Sequence, residues 1–480
     1  MRKGIDVGRM TSERQILRAF LRGETEFNTS VPVLRKPCIR NTVGEEELGL
    51  YRPRKAKKFV TADAELMDEF AKSRKRIPSF KEAGPHKKLG ISPQTARAAI
   101  VCSGGLAPGL HSVIHAIVKR HCATYEINTS MKGGVFGVYD SFRGLCSLAD
   151  NLVPLTPDDT EKWLGLGGCE LGCIRYFPGE EGEPSNEATA NMVAKIAENL
   201  EHLHINILYV LGGDGSMAVA HKIAQKTRSC SVIGVPKTMD NDILWVWESF
   251  GFNTAVMEAT RVINTMHREA EATRRICLIE LFGAESGFVA ANASLASGQV
   301  DLVLIPEVFK GLTNSEAQMY WKLVQGHLLE SVEGRVNCPH GLVVVAEGVA
   351  TVLADRGFTL DGQPVERGMF TDLLAGSLLK QAQDARGRSV EIFINRPRHY
   401  IRAAPANPHD QIYCERLGAL AVDNALAGYT DCMISQWLTE YVLVPLRLVA
   451  DAQKSIPIEG IFWKQVINST GQPSFHEALE

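Results

Sequence analysis

The feature that most constrains the fold of this chain is a repeated local order: a short apolar run, a glycine-rich turn, then an amphipathic stretch. Ala98–Cys102 (AAIVC) leads into Ser103-Gly104-Gly105, then Pro108-Gly109 and a helical pattern over Leu110–Arg120. Ile205–Leu211 (INILYVL) leads into Gly212-Gly213-Asp214-Gly215-Ser216 and a helix that runs to about Gln225. Ser231–Val235, Ile276–Leu281, Leu302–Ile305 and Leu342–Ala346 read as further strands, and Thr254–Ala272, Ser286–Ala296 and Ser315–Glu330 as helices. Continuously apolar strands are covered on both faces, and strands that alternate with helices form parallel sheets. The expected fold class is α/β, with two doubly wound, Rossmann-like domains built on parallel sheets. Such sheets bind ligands outside the carboxyl ends of their strands, where these glycine turns fall.

The chain has 480 residues, more than one ordinary core accommodates. With 45% hydrophobic and 22% charged residues it is neither disordered, collagen-like nor a disulfide scaffold. The net charge of −3 conceals an asymmetry. Residues 1–90 hold 21 Lys and Arg against 12 Asp and Glu, and residues 91–480 hold 31 against 43. A basic head is joined to an acidic body. The head has weak periodicity and no convincing strand; Glu46–Leu50 and Ala64–Lys75 read as helical. The 11 cysteines are scattered, and the closest two, Cys169 and Cys173, fit no common zinc spacing. Buried reduced thiols and a cytoplasmic location are expected. No apolar run approaches the ~18 residues of a membrane span, and Met1–Arg9 lacks the apolar core of a signal peptide. Neither a membrane nor a nucleic acid is expected as a partner, since no nucleic-acid motif is recognisable.

Three motifs carry chemistry. In Cys102-Ser-Gly-Gly-Leu-Ala-Pro-Gly109 the glycines at 104 and 105 let backbone N–H groups approach a phosphate, and the helix that follows adds positive potential. No Gly-Lys-Ser/Thr follows, so it is not a Walker A loop. In Gly212-Gly213-Asp214-Gly215-Ser216, two glycines free the backbone, and Asp214 at the strand end is placed to hold Mg2+ beside phosphates. Val235-Pro-Lys-Thr-Met-Asp-Asn-Asp242 is the densest polar cluster. In an extended segment Asp240 and Asp242 point the same way, one to take a proton from an attacking hydroxyl and the other to help hold metal. Lys237 and Thr238 suit phosphate oxygens. Together these indicate a phosphoryl-transfer enzyme.

The order SGGLAPG, FGVYDSFRGL (Phe136–Leu145), GGCELGCIR (Gly167–Arg175), GGDGS, PKTMDND and AEG (Ala346–Gly348) resembles the phosphofructokinase family from about residue 97 to 445. FKEAGPHKK (Phe80–Lys88) and YIRAAPANPHDQIYCERLG (Tyr400–Gly418) look like the long ATP-dependent enzymes of trypanosomatids and plants. The resemblance implies phosphorylation of fructose 6-phosphate at its 1-hydroxyl by Mg-ATP, with Asp240 as base and Thr238 and Asp242 beside it. It further implies Asp214 and Asp242 at Mg2+, Arg175 between donor and transferred phosphoryl groups, and Gly104, Gly105, Gly213, Gly215, Ser216 and Lys237 around the donor phosphates. Phe282, Gly283, Glu347, Arg275 and Arg402 are implied at the sugar phosphate, with one phosphate arginine supplied by a neighbouring subunit in the short bacterial enzymes. The family pattern assigns a homotetramer or homodimer, and Gly215 with Lys237 is the combination of the long ATP enzymes rather than of those using pyrophosphate.

The implied organisation is an N-terminal extension over 1–95 that embraces a neighbouring subunit, an ATP-binding domain over 96–252 with 410–465, and a sugar-phosphate domain over 253–409 with 466–480. The pattern breaks at Phe282-Gly283-Ala284, where the family reads Met-Gly-Arg, and at His111, where it has Asn. His111 is read as a capping or packing substitution. Ala284 leaves open a different phosphosugar, or a weakened paralogue that acts through assembly.

Overall fold

The computed structural model describes residues 12–127, 134–147, 151–174, 186–380, 382, 387, 389–449 and 453–476. The chain divides into two compact units. Unit 1 is built from 1–238, 243–251 and 403–454, and unit 2 from 239–242, 252–402 and 455–480. These boundaries differ from the sequence expectation. Residues 1–95 are part of unit 1, the segment 239–242 makes a short excursion into unit 2, and the return to unit 1 starts at 403 and ends at 454.

In chain order, helix α1 (Glu13–Arg22) opens the described residues, followed by strand β1 (Lys57–Phe59), α2 (Ala64–Lys72) and β2 (Ser79–Glu82). Then come β3 (Arg97–Cys102), α3 (Leu110–Lys119), β4 (Gly134–Val138), β5 (Leu152–Pro154), β6 (Ile207–Gly212), α4 (Asp214–Lys226) and β7 (Ser231–Pro236). Unit 2 carries α5 (Phe252–Thr273), β8 (Ile276–Leu281), α6 (Phe288–Ser297), β9 (Leu302–Leu304), β10 (Gly341–Ala346), α7 (Gly348–Ala354), β11 (Ile392–Asn395) and α8 (Arg398–Arg402). The chain returns to unit 1 with α9 (Pro408–Leu426) and the hairpin β12 (Cys432–Trp437) and β13 (Glu440–Pro445).

Unit 1 is organised on a nine-stranded sheet of order β1-β2-β13-β12-β7-β6-β3-β4-β5. Its five central strands, β12, β7, β6, β3 and β4, run parallel, and the outer ladders are antiparallel. Unit 2 has a four-stranded, all-parallel sheet of order β9-β10-β8-β11. Every residue of β6, β7, β8 and β10 is buried, as apolar runs in a covered sheet require, and in β8 the one charged residue, Glu280, is buried with them. The expected α/β class with parallel sheets is what is found.

The head departs from expectation. β1 and β2 are strands where none was read, and β2 pairs with β13 through Val442 and Glu82 and through Leu443 and Lys81. Phe80 is fully buried while its neighbours are polar or charged, so β2 has no apolar alternation to read. Charged residues are what an edge strand carries. Phe27 and Phe80 lie 5.1 and 5.5 Å from Trp245, itself 5.5 Å from Trp437, whose indole N–H donates to the Val60 carbonyl at 3.0 Å. The segment expected as an intersubunit arm is thus packed within its own unit. Its cations pair mainly with its own acids, Arg14 with Asp63 at 3.4 Å and Arg18 with Glu69 at 2.7 Å.

α3 and α9 pack together over a buried polar cluster. Arg120 reaches both oxygens of Asp423, Nε at 3.0 Å and Nη2 at 2.9 Å, and the Tyr125 hydroxyl donates to Oδ1 at 2.9 Å. Burial pushes the Asp423 carboxyl up, and the hydrogen bonds from Arg120 and Tyr125 oppose that rise. Removing one partner strands the other's charge in the interior. Arg120→Met is therefore expected to cost about 3–5 kcal/mol. Urea denaturation of the variant against the native chain measures it, and a loss below about 1 kcal/mol would show that Asp423 is not held in charged form by Arg120.

Candidate functional site

In unit 1 the carboxyl ends of β3, β6 and β7 lie side by side, with Cys102 beside Leu211 and Gly212 beside Pro236. The three loops that leave them are stitched together: the Ser103 N–H donates to the Leu211 carbonyl at 2.9 Å and the Lys237 N–H to the Gly212 carbonyl at 2.8 Å. Gly104 has φ +91°, and its N–H donates to the Ile174 carbonyl at 3.2 Å, which draws the Gly167–Ile174 segment against the first loop. A Cβ at Gly212 would lie 2.3 Å from the Ser216 Cβ, so only glycine permits the first turn of α4 to close over the end of β6.

Lys237 is buried, and its ammonium donates to the Gly105 carbonyl. Its Nζ lies 3.8 Å from the Cys173 sulfur, which in turn donates to the carbonyls of Gly104 and Gly105 at 3.4 and 3.5 Å. Carbonyls satisfy this buried cation without neutralising it, so its charge remains available to an anion at the glycine loop. Asp214 is the first residue of α4, where a carboxylate is favoured by the helix dipole. The Gln453 amide donates to its Oδ2 at 2.6 Å and fixes its orientation. Gly213 and Gly215 are half-buried and Ser216 is buried in the same turn. His111 donates from Nδ1 to the Leu166 carbonyl at 3.2 Å and accepts from the Glu170 N–H at 3.1 Å, so it latches α3 to the 163–170 turn. Burial lowers its pKa, as the accepting nitrogen requires. Arg175 lies outside the described residues.

The polar cluster that follows β7 is divided between the units. Lys237 and Thr238 belong to unit 1, where the Thr238 carbonyl accepts from the Ser249 hydroxyl. Asp240 and Asp242 belong to unit 2. The segment is not extended, contrary to the alternation expected of Asp240 and Asp242. Asn241 has φ +53°, the left-handed region that its short polar side chain tolerates, and it turns the backbone between the two carboxylates. Asp242 is buried; Asp240 is half-buried with Oδ1 shut off from solvent. The Ser286 hydroxyl donates to the Asp240 carbonyl at 2.8 Å, which pins this turn to the loop after β8.

At the carboxyl edge of unit 2's sheet, Glu347 directly follows β10 and reaches across to the loop after β8. Its Oε1 accepts from the N–H groups of Gly283 at 3.4 Å and Ala284 at 3.2 Å. A Cβ at Gly348 would lie 2.2 Å from the Ala284 carbonyl oxygen, so this approach also depends on glycine. The Arg402 guanidinium stands 4.9 Å above the Phe282 ring, a cation–π contact that orients it. Phe282, Gly283, Glu347 and Arg402 are therefore brought together. Arg275 is not. It precedes β8, a six-residue strand away from Phe282, or about 20 Å. There it is held by Glu391 at 2.8 Å and Glu269 at 3.8 Å. Adjacency in the motif did not carry over because the strand separates its two ends.

Three residues of these sites lie outside the sequence expectation: Arg398, Arg396 and Gln453. Arg398 pairs with the buried Glu280 and lies 3.6 Å from Glu347 Oε2. Arg396 pairs with Glu280 at 3.1 Å and Asp372 at 2.5 Å. The Arg396-Pro-Arg-His399 run was the available signal, a concentration of cations directly after a strand. Gln453 offered none.

A model described as phosphofructokinase matches residues 97–425, from the first residue of β3 into α9. The chain belongs to the phosphofructokinase family. As a member it is a phosphotransferase. It is 31% identical over 405 residues to a protein named ATP-dependent 6-phosphofructokinase from Borreliella burgdorferi, covering 82% of this chain and 85% of that one. It is 35% identical over 402 residues to ATP-dependent 6-phosphofructokinase 5, chloroplastic, from Arabidopsis thaliana, covering 82% and 69%. Among solved structures, a pyrophosphate-dependent phosphofructokinase from Marinobacter aquaeolei superposes with a TM-score of 0.59 at 17% identity, covering 79% of this chain and 92% of that one. That likeness is one of fold. Among the described residues no helix is long and apolar enough to cross a membrane.

Proposed function

We propose that the protein transfers the γ-phosphoryl group of ATP to the 1-hydroxyl of fructose 6-phosphate. The observation that carries this reading is the unit 1 cradle: a buried lysine ammonium at a glycine loop, beside an aspartate held at a helix N-terminus. The names of relatives at 31% and 35% identity support ATP as the donor.

In this reading the Asp240 carboxylate takes the hydroxyl proton as the sugar oxygen attacks the γ-phosphorus. The new O–P bond forms as the bond to the bridging oxygen of ADP breaks, and the proton leaves with the carboxylate. A sugar hydroxyl is a poor nucleophile, so a positioned base matters, and charge neutralisation does most of the rest. Lys237 and the backbone N–H groups at Gly105, Gly213 and Gly215 are assigned to the donor phosphates, with Gly104 shaping the loop through its φ of +91°, Ser216 and Thr238 adding hydroxyls and Arg175 a bridging cation. Asp214 and Asp242 supply the hard oxygen ligands that suit Mg2+, with Gln453 fixing the Asp214 carboxylate. Bound there, Mg2+ neutralises phosphate charge.

Glu347, Phe282, Gly283 and Arg402 hold the sugar phosphate. Arg398 is a positioning residue that acts through Glu347. Arg398→Ala is expected to raise the KM for fructose 6-phosphate about tenfold, the effect of losing about 1.4 kcal/mol from a charge-assisted contact. The KM for ATP should not change. Equal changes in both constants would mark a merely structural role. Arg275 suits donation to a neighbouring subunit's site, within a homodimer or homotetramer.

The test is a coupled assay with fructose 6-phosphate, Mg2+ and either ATP or pyrophosphate, extended to a panel of phosphosugars. Turnover with ATP and fructose 6-phosphate is expected. Turnover no higher than that of Asp240→Asn would remove the enzymatic reading. The replacement of the family arginine by Ala284 favours a second reading, a weakened paralogue that acts through assembly. Arg398, 3.6 Å from the Glu347 carboxylate that binds the Ala284 loop, offers a cation beside that loop and tells against it.

A further inference from the structure

A second cluster of chemistry-bearing side chains lies in unit 2 at the amino ends of β8 and β10, the edge of the sheet opposite Glu347. Helix α5 presents His267 and Glu271 on one face, four residues apart, and His340 directly precedes β10. One ligand atom from each of the three lies within 4.8 Å of the others. The two imidazole rings meet edge to face at 5.4 Å.

The hydrogen bonds around the cluster turn its lone pairs inward. His340 Nδ1 lies 2.7 Å from the Cys338 carbonyl, which can only accept, so the proton is on Nδ1 and Nε2 keeps its lone pair. Metal-bound histidines are oriented by this kind of bond. His267 Nε2 is 3.5 Å from Glu271 Oε1. Two ligand atoms on tetrahedral arms of about 2.0–2.1 Å stand about 3.4 Å apart. The second oxygen of Glu271 is taken by Arg268 at 2.8 Å, which leaves Oε1 toward the imidazole. His267 Nδ1 is buried with no hydrogen-bond partner among the described residues, so the protein satisfies this ring poorly. Arg335, the other nearby cation, is spent on Asp301 at 2.6 Å and on the His340 carbonyl at 2.6 Å.

Two imidazoles and one carboxylate suit a borderline cation such as Zn2+ and not Mg2+ or Ca2+, which prefer all-oxygen shells. We propose that His267, Glu271 and His340 bind one Zn2+-class divalent cation, with water as the fourth ligand. The site is separate from the residues assigned to Mg2+. Its effect falls on the strand edge: the Gly341 N–H, next to His340, donates to the Arg275 carbonyl at 3.1 Å. A cation there braces the backbone from which Arg275 projects.

The full chain, stripped with a chelator, is dialysed against Zn2+ in the presence of excess Mg2+, and bound metal is counted. One Zn2+ per chain is expected in the native protein, with at least tenfold weaker binding in His267→Gln and His340→Gln. Uptake below stoichiometry in the native chain, or unchanged uptake in His340→Gln, would overturn the proposal. Should a histidine variant fail to fold by circular dichroism, Glu271→Gln on the half-buried helix face decides, and undiminished affinity there counts against the site. Co2+ substitution guards against capture by the 11 thiols. A tetrahedral visible spectrum without a thiolate charge-transfer band is expected, and a strong thiolate band would refute this ligand set.

Discussion

Replacing Asp240 by asparagine is expected to lower kcat by about 10²–10⁴, the range over which a positioned general base contributes. The substitution keeps the size of the side chain and removes its capacity to hold a proton. The Ser286 hydroxyl bonds the backbone carbonyl of residue 240, not its carboxylate, so that anchor survives the change. The KM for both substrates should move little, because the lost interaction belongs to the transition state. Steady-state kinetics with saturating fructose 6-phosphate and ATP measure the split. A kcat within about twofold of the native value would show that Asp240 is not the base. A rise in KM with kcat intact would reassign it to sugar binding.

Gly215→Asp has the other large expected effect. Residue 215 is the second of α4, next to Asp214 and within the turn that follows the glycines at the end of β6. An added carboxylate there is compatible with the helix, since acids are favoured in a first turn. The variant should therefore fold, with a melting temperature near the native one. It places a negative charge and new bulk where the donor's phosphates are proposed to lie. The expected result is a loss in kcat/KM for ATP on the order of 10²–10³, comparable with removing a transition-state charge contact. Activity with pyrophosphate is measured in parallel. An unchanged ATP rate in a folded variant would mean that the nucleotide does not bind along this helix.

Much of this architecture is written in local pattern. The buried strands β3, β6, β7, β8 and β10 are short, largely apolar runs followed within two residues by glycine, proline or a charged residue, and each lies within two residues of where its sequence places it. The cradle residues Gly104, Gly105, Asp214 and Lys237 were legible for the same reason, since a parallel sheet delivers its strand ends to one edge. What was hidden depends on partners remote in sequence. β2 buries one phenylalanine among charged neighbours, and its strand character comes from β13. The orientation of Asp214 comes from Gln453, and Glu347 is approached by Arg398 across a long intervening segment. Asn241 shows a different limit. A single left-handed residue cancels a two-residue alternation, and nothing in Asp-Asn-Asp announces which backbone region the asparagine takes.

The pairing of β2 with β13 gives the head a part in the timing of folding. β13 is made long after its neighbour on one side, β2, which precedes it by most of the chain's strands. Until β13 is made, β2 lacks the strand that joins it to the sheet, and Trp437 is not yet there to back Trp245 against Phe27 and Phe80. Contacts of such sequence separation close slowly, and uncovered aromatic edges invite aggregation while they wait. The charged side chains on these two strands, Lys57, Lys58, Lys81 and Glu82, then gain a plain use: they disfavour edge-to-edge pairing with a wrong partner while the strands are uncovered.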